Sequence, residues 1–380
     1  MDKKFVMGIA AMAALTLVSC SSDDLDSVSG NSSKNEAISF DSYLGRSAVA
    51  VNGSRGSVET KETLMANGFG VFGNYTGGQT PDPDFFKNQK VTYSNKKWTY
   101  SPLKYWPTQG KIDFLAYAPY DANTALKKTT ETSGAEQKNT SCIDFTVDKD
   151  IAKQKDLLWA NATGQITDNF EGTTKKKVKF QFHHALSRLG YTVKLSGDYP
   201  PANATFTLKK ITLAGSDNGT TGAFYETGTI DLTKGKNEAG LWPVHEGKQK
   251  FDWFSGDYQV KKSTASHPDK VDNGNRDQKE DYLFVIPQDF SQTGEGADKL
   301  YVIVEYEVTY TTTHTTITNK VYKQLPINFL QGKAYMLNLT IGLPIEFDVD
   351  VDTAAGVDDW DPKDGKPTDI DSWDDINREQ

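Results

Sequence analysis

Apolar and polar residues alternate with a period of two along most of this chain, and that period limits the fold more than any other feature. Val302, Val304, Tyr306, Val308 and Tyr310 fall on one face of a segment whose other face carries Tyr301, Ile303, Glu305, Glu307 and Thr309. Tyr335, Leu337, Leu339 and Ile341 alternate in the same way with Met336, Asn338 and Thr340. Successive side chains of a strand point to opposite faces, so such segments bury one face of an antiparallel sheet and wet the other. Further strands are expected at residues 38–43, 69–75, 112–117, 206–213 and 282–286, separated by Gly-, Asn-, Asp- and Pro-rich clusters such as 76–83 and 200–203. Cys142, in Ser141-Cys142-Ile143-Asp144-Phe145, reads as a small buried strand residue. No helical stripe continues beyond about two turns. The expected class is mostly β.

One segment changes phase. Val178, Phe180 and Phe182 hold even positions, whereas Leu189, Tyr191, Val193 and Leu195 hold odd ones. A bulge or a short helical turn over residues 183–187 would re-aim the side chains. At roughly 100–150 residues per domain, the body divides into domains at 37–175 and 176–345. The Lys-rich stretch 171–177 is the preferred boundary, and Pro200-Pro201 is the competing one.

The two ends differ from the body. Lys3 and Lys4 precede an apolar run over residues 5–18 that is too short for a lasting membrane span, which describes a secretory signal over residues 1–19. Leu17-Val18-Ser19-Cys20 resembles a bacterial lipobox, which implies cleavage before Cys20 and a diacylglycerol on its sulfur. Cys20 and Cys142 are the chain's two cysteines, so an acylated Cys20 leaves no intramolecular disulfide and stability must come from packed cores. Residues 20–36 are rich in Ser, Asn and Gly and read as a flexible tether. Residues 346–380 hold 13 acidic and 3 basic side chains, a net of −10. The chain's net charge is −9, so everything before that acidic tail carries +1. An acidic chain of this kind is a poor general nucleic-acid binder. A mean hydropathy of −0.58 excludes a multi-span helical membrane protein.

Several motifs resemble catalytic or ligand-binding ones without the context they need. Gly68-Phe69-Gly70-Val71-Phe72-Gly73 matches a dinucleotide fingerprint in letters, but Thr76-Gly77-Gly78-Gln79-Thr80-Pro81 follows where a helix should open to hold the phosphates. His183 and His184 are adjacent on a strand and so point to opposite faces, away from a shared metal. Asp348, Asp350 and Asp352 place three carboxylates on one strand face, which offers oxygen ligands to Ca²⁺ but reads better as a solvated, charged edge. No catalytic residue, cofactor or metal site is nominated, and an enzyme is not expected.

Six segments occur in a fixed order. They are Phe69-Gly70-Val71-Phe72; Trp98-Thr99-Tyr100-Ser101-Pro102-Leu103-Lys104-Tyr105-Trp106-Pro107; Lys111-Ile112-Asp113-Phe114-Leu115-Ala116-Tyr117-Ala118-Pro119; Lys155-Asp156-Leu157-Leu158-Trp159-Ala160; Phe182-His183-His184-Ala185-Leu186-Ser187-Arg188-Leu189; and Gly332-Lys333-Ala334-Tyr335. Together with the lipobox they resemble the fimbrillin superfamily, the Mfa-like type V pilins and related surface lipoproteins. The resemblance implies two tandem transthyretin-like β-sandwich domains. It also implies lipidation at Cys20, display at the outer membrane, proteolysis, and polymerisation with other fimbrillin subunits by donor-strand exchange into adhesive fimbriae. In that scheme an arginine after the first strand is cleaved, a role that falls on Arg46 or Arg55, each flanked by glycine. The donor is expected from residues 345–351. Two alternatives remain at this point: a non-polymerising surface lipoprotein that binds glycan or a host protein, and, last, a secreted hydrolase.

Overall fold

The structure is a computed structural model that describes residues 37–44, 59–77, 80–128, 140–166, 177–236, 238–266, 282–343 and 345–351. The first eight strands are β1 (Ser39–Leu44), β2 (Phe69–Thr76), β3 (Asp82–Ser94), β4 (Lys97–Thr99), β5 (Lys111–Ala118), β6 (Cys142–Thr146), β7 (Leu158–Gln165) and β8 (Lys177–His184). They are followed by β9 (Ser187–Leu195), β10 (Ala204–Ala214), β11 (Phe224–Asp231), β12 (Val244–Gln249), β13 (Phe251–Gln259) and β14 (Ala265–Ser266). The last seven are β15 (Leu283–Val285), β16 (Gln288–Asp289), β17 (Tyr301–Tyr310), β18 (Thr315–Gln324), β19 (Asn328–Phe329), β20 (Ala334–Gly342) and β21 (Glu346–Val351).

Seven strands form one sheet in the order β1-β8-β7-β5-β2-β3-β4. It curls until β1 and β4 come into contact, enclosing a core that includes Phe40, Phe69, Phe86, Phe114, Phe180 and Phe182. The alternation expected of these strands accounts for both faces. Phe69 and Val71 of β2 point into that core, while Phe72 on β2 and Leu115 and Tyr117 on β5 face outward into a second one. Gly70 lies against the Tyr117 ring, where an added Cβ would come within 2.3 Å of a ring carbon. The single α-helix among the described residues, α1 (Lys61–Asn67), buries Leu64 and ends at Gly68 with a φ of 73°.

The second core lies between a four-stranded sheet, β13-β10-β17-β18, and a second sheet ordered β14-β9-β20-β21 with β15 also on β9. This is a β-sandwich. Val302, Val304, Tyr306 and Val308 of β17 and Tyr335, Leu337, Leu339 and Ile341 of β20 are buried, on the faces their alternation assigns. A three-stranded sheet, β12-β11-β6, packs its Ile143 and Ile230 into the same core. Cys142 is buried in β6.

The phase change has a different cause from the bulge or helical turn expected. β8 ends at His184 and β9 starts at Ser187, with Ala185 and Leu186 in a bend between them. β8 belongs to the curled sheet and β9 to the sandwich, so the chain changes sheets there and each strand keeps its own phase. The strand expected at 282–286 is confined to β15, three residues long. The boundary stretch 171–177 lies outside the described residues up to 176, and β8 immediately after it pairs with β1 and β7.

Candidate functional site

β1 is the terminal member of the curled sheet, and its own residue pattern explains how it is held. Ile38, Phe40, Ser42 and Leu44 are two apart and all point inward, each no more than 7% exposed. β1 runs parallel to β8, in register from Ser39 opposite Lys177 to Leu44 opposite Phe182. Phe40 is the centre of the contact. Its ring centroid lies 5.5 Å from Phe86, 5.4 Å from Tyr100, 5.6 Å from Phe114 and 5.7 Å from Phe180. Burial of a side chain this size contributes about 2–3 kcal/mol, and each well-placed ring pair about 0.5–1.5 more. Without β1, the curled sheet would expose this aromatic pocket and the unpaired edge of β8.

Residues 100–107 form a strap over the first residues of this strand. Ile38 N–H donates to the Lys104 carbonyl at 2.8 Å, and the Tyr100 hydroxyl donates to the Ile38 carbonyl at 2.8 Å. The same hydroxyl accepts from Lys104 N–H at 3.3 Å. Ala37 forms an antiparallel bridge with Tyr105. Lys104 lays its ammonium over the Phe85 and Phe86 rings, at 4.9 and 5.6 Å. Trp98 and Trp106 are buried, with Trp98 against Phe69 and Trp106 against Phe114, so this aromatic segment is core rather than a glycan platform. Leu103 and Tyr105, by contrast, point outward.

At the other end of β1 the chain enters residues 45–58, which hold Arg46 and Arg55 and lie outside the described residues, as does Cys20. The description resumes at Glu59, which is 1% exposed. Its N–H donates to Asp156 Oδ2 at 3.1 Å, and the same oxygen lies 2.7 Å from His184 Nδ1. The Glu59 carboxyl accepts from the Thr63 hydroxyl at 3.0 Å and from the Asn67 amide at 2.9 Å. Burial first, and the Asp156 charge second, push the Glu59 carboxyl up to about 7. Leu44 stands opposite Phe182, and His184 is two residues further along β8. Both described ends of the arginine-bearing segment are therefore fixed at one end of β8. Nothing in the composition or spacing pointed to this cluster; the local signal was the Thr60–Thr63 capping pair that starts α1.

The remaining residues singled out in the sequence fall as follows. His184 is buried against Asp156, while His183 packs over Trp159 at 5.4 Å, so the two do not converge. Gly68 to Gly73 end α1 and build β2. β21 pairs antiparallel with β20 and buries Val349, with Phe347 and Val351 half-buried. Lys323 on β18 hydrogen-bonds the Asp348 carboxylate, which holds the pKa of that group below its ordinary value, and also donates to the Val349 carbonyl at 3.0 Å. Asp350 is exposed, and Asp352 lies outside the described residues.

Comparison with known proteins agrees with this architecture. The fimbrillin-like family profile matches residues 58–360. Fimbrium subunit Fim1C of Phocaeicola vulgatus is 32% identical over 205 residues, which cover 50% of this chain and 51% of that protein. The chain thus spans about half the length of this curated relative. The crystal structure of a fimbrial protein from Bacteroides vulgatus matches with a TM-score of 0.57 at 20% identity, covering 86% of this chain and 100% of that one. At that identity the likeness is one of fold. Because the family profile spans most of the sequence, this chain belongs to the fimbrillin-like family.

Proposed function

We propose that this chain is a structural subunit of an adhesive fimbrium at the cell surface, exported as a lipoprotein through Cys20 and polymerised after cleavage at Arg46 or Arg55. Its partners are other fimbrillin subunits, and its lipid-bearing precursor sits in the outer membrane. Cleavage releases β1, and a strand from the next subunit fills the groove beside β8.

The observation that carries this reading is a repeat between the two ends of the body. Residues 38–44 read Ile-Ser-Phe-Asp-Ser-Tyr-Leu, and residues 345–351 read Ile-Glu-Phe-Asp-Val-Asp-Val. Ile38, Phe40 and Asp41 coincide with Ile345, Phe347 and Asp348, and every second position is apolar in both segments except Ser42. In register, Phe347 would occupy the Phe40 pocket, and Val349 the place of Ser42. Ile345 is 65% exposed in its own chain and Phe347 is half-buried, whereas Ile38 and Phe40 are at most 3% exposed. Moving Ile345 and Phe347 into the groove buries them more fully than their own chain does, a gain of about 2–3 kcal/mol at ordinary burial coefficients that offsets the burial Ile38 and Phe40 give up when β1 leaves. The cost is the β20 ladder, which the β8 ladder replaces.

The test is polymerisation of the mature lipid-free chain by an Arg-specific protease. The wild-type chain should form fibres, and the Arg46→Ala/Arg55→Ala double variant should remain a folded monomer. Fibres from the double variant would refute proteolytic assembly at these arginines.

A further inference from the structure

The strap over the first residues of β1 has an outward face. Its Leu103 and Tyr105 are 56% and 50% exposed, on a segment whose Lys104 carbonyl accepts from Ile38 N–H at 2.8 Å. Tyr105 stands beside Ala37 in the antiparallel bridge, at the mouth where β1 enters the curled sheet. Exposed apolar side chains scattered singly are ordinary. These two sit together at one defined place, the entrance to the groove.

The length of the tether decides what meets them. In the register of the repeat, Ile345 of a second copy takes the place of Ile38. β20 of that copy stays in its own sandwich, parallel to β9 as far as Ile341 opposite Leu195. Leu343 is held there too, because its N–H donates to the Tyr199 hydroxyl at 3.1 Å. From Leu343 to Ile345 is a step of two residues, which spans about 7 Å at full extension. β1 runs parallel to β8, so a strand that replaces it starts at the strap end and draws its own sandwich up to the strap. Pro344 then falls at the place of Ala37. The strap takes its bond from the N–H of the next residue, so a proline at that place keeps the bond.

We infer that Leu103 and Tyr105 form a contact surface for the body of a second copy of this chain, seated against the end of its sandwich that carries Tyr199, Pro200 and Leu343. This rests on the assembly reading above and adds to the exchanged strand a second interface, between folded bodies. The donor end suits the contact. Tyr199 and Leu343 are half-buried and Pro200 is exposed. The Tyr199 ring is fixed against Phe206 at 4.9 Å, so an apolar face of set shape meets the two strap side chains. Because this surface lies outside the groove, it distinguishes a whole subunit from a free strand of the same sequence.

The experiment uses the mature lipid-free chain with one sequence-specific protease site placed directly after Leu44, so that nicking does not depend on the native arginine. The nicked wild-type chain is compared with the nicked Leu103→Glu/Tyr105→Glu variant. Uptake of a fluorescent synthetic peptide of residues 345–351 reads the groove alone, and fibre elongation reads the groove and the body contact together. The variant should take up the peptide as the wild-type chain does and elongate at least about tenfold more slowly, since two carboxylates replace buried apolar side chains in the contact. A flexible Gly/Ser stretch inserted after Leu343 lets the bodies stand apart, and in that chain the same substitutions should slow elongation less than about threefold. Elongation of the variant at the wild-type rate, an undiminished effect in the lengthened chain, or loss of peptide uptake by the variant alone would overturn the contact surface and leave the assembly reading standing. If the wild-type chain never takes up the peptide, both fail.

Discussion

Replacing Glu59 with glutamine should flatten the stability of this protein against pH, by an amount the structure sets. Glu59 is buried beside Asp156, and its carboxyl is pushed up from 4.5 to about 7. A carboxyl that binds its proton more tightly when folded stabilises the fold below its unfolded value and loses that contribution as pH rises through its folded value. The window here runs from about 4.5 to about 7. At about 1.4 kcal/mol for each pH unit, the loss is on the order of 3 kcal/mol by pH 8. Glutamine stays neutral throughout. Its amide oxygen can accept from Asn67 as Glu59 does, and its amide nitrogen can face the Thr63 hydroxyl. Urea denaturation of both proteins at intervals from pH 5 to pH 8.5 measures the difference. Near pH 5 the two should be similar, and by pH 8 the variant should be the more stable by up to about 3 kcal/mol. Parallel profiles across the range would refute the placement of a buried, protonated Glu59 next to Asp156.

Two further outcomes are expected, one from the Phe40 pocket and one from the lipobox. Phe40→Ala should cost about 3–5 kcal/mol, because it empties a pocket walled by four rings. Phe180→Ala should cost a similar amount, and the double variant less than the sum, since the two rings stack on one another at 5.7 Å; additive costs in urea titrations would show that they act independently. Cys20→Ala should abolish acylation, read as the loss of the lipid mass in intact-protein mass spectrometry and release from the membrane fraction. Unchanged mass and retention would exclude Cys20 as the anchor.

The sequence conveyed what depends on one face of one strand. β10, β17 and β20 were legible because alternate residues along most of each strand are buried, and β2 and β5, buried on both faces, because a short apolar run bounded by turn residues also marks a strand; neither pattern needs knowledge of the partner strand. β1 was legible from the same alternation as β10, β17 and β20. What could not be read depends on contacts between distant segments. The change of sheet at Ala185–Leu186 looks in sequence like a bulge, because both produce a phase slip of one residue. The pairing of β6 with β11 joins residues more than eighty positions apart. The strap bonds to Ile38 run through backbone groups, which every residue carries, so no residue type marks them. Glu59 was invisible because a lone glutamate is ordinarily solvated; only the arrival of Asp156 and His184 from two other segments makes it a buried, proton-binding group.

The assembly claim is tested most directly by a disulfide between subunits. Tyr43 on β1 stands opposite Gln181 on β8, and the repeat between residues 38–44 and 345–351 puts Asp350 in the place of Tyr43. Within one chain Asp350 pairs with Asn338 instead, in a different sheet from Gln181. Fibres grown from the Gln181→Cys/Asp350→Cys variant and oxidised should therefore run as a ladder of covalent multimers on a non-reducing gel and collapse to monomer with reductant. The Lys177→Cys/Asp350→Cys variant, four residues out of register, should give no ladder. Fibres that form without cross-linking through Gln181, or that cross-link equally through Lys177, would contradict strand replacement in this register.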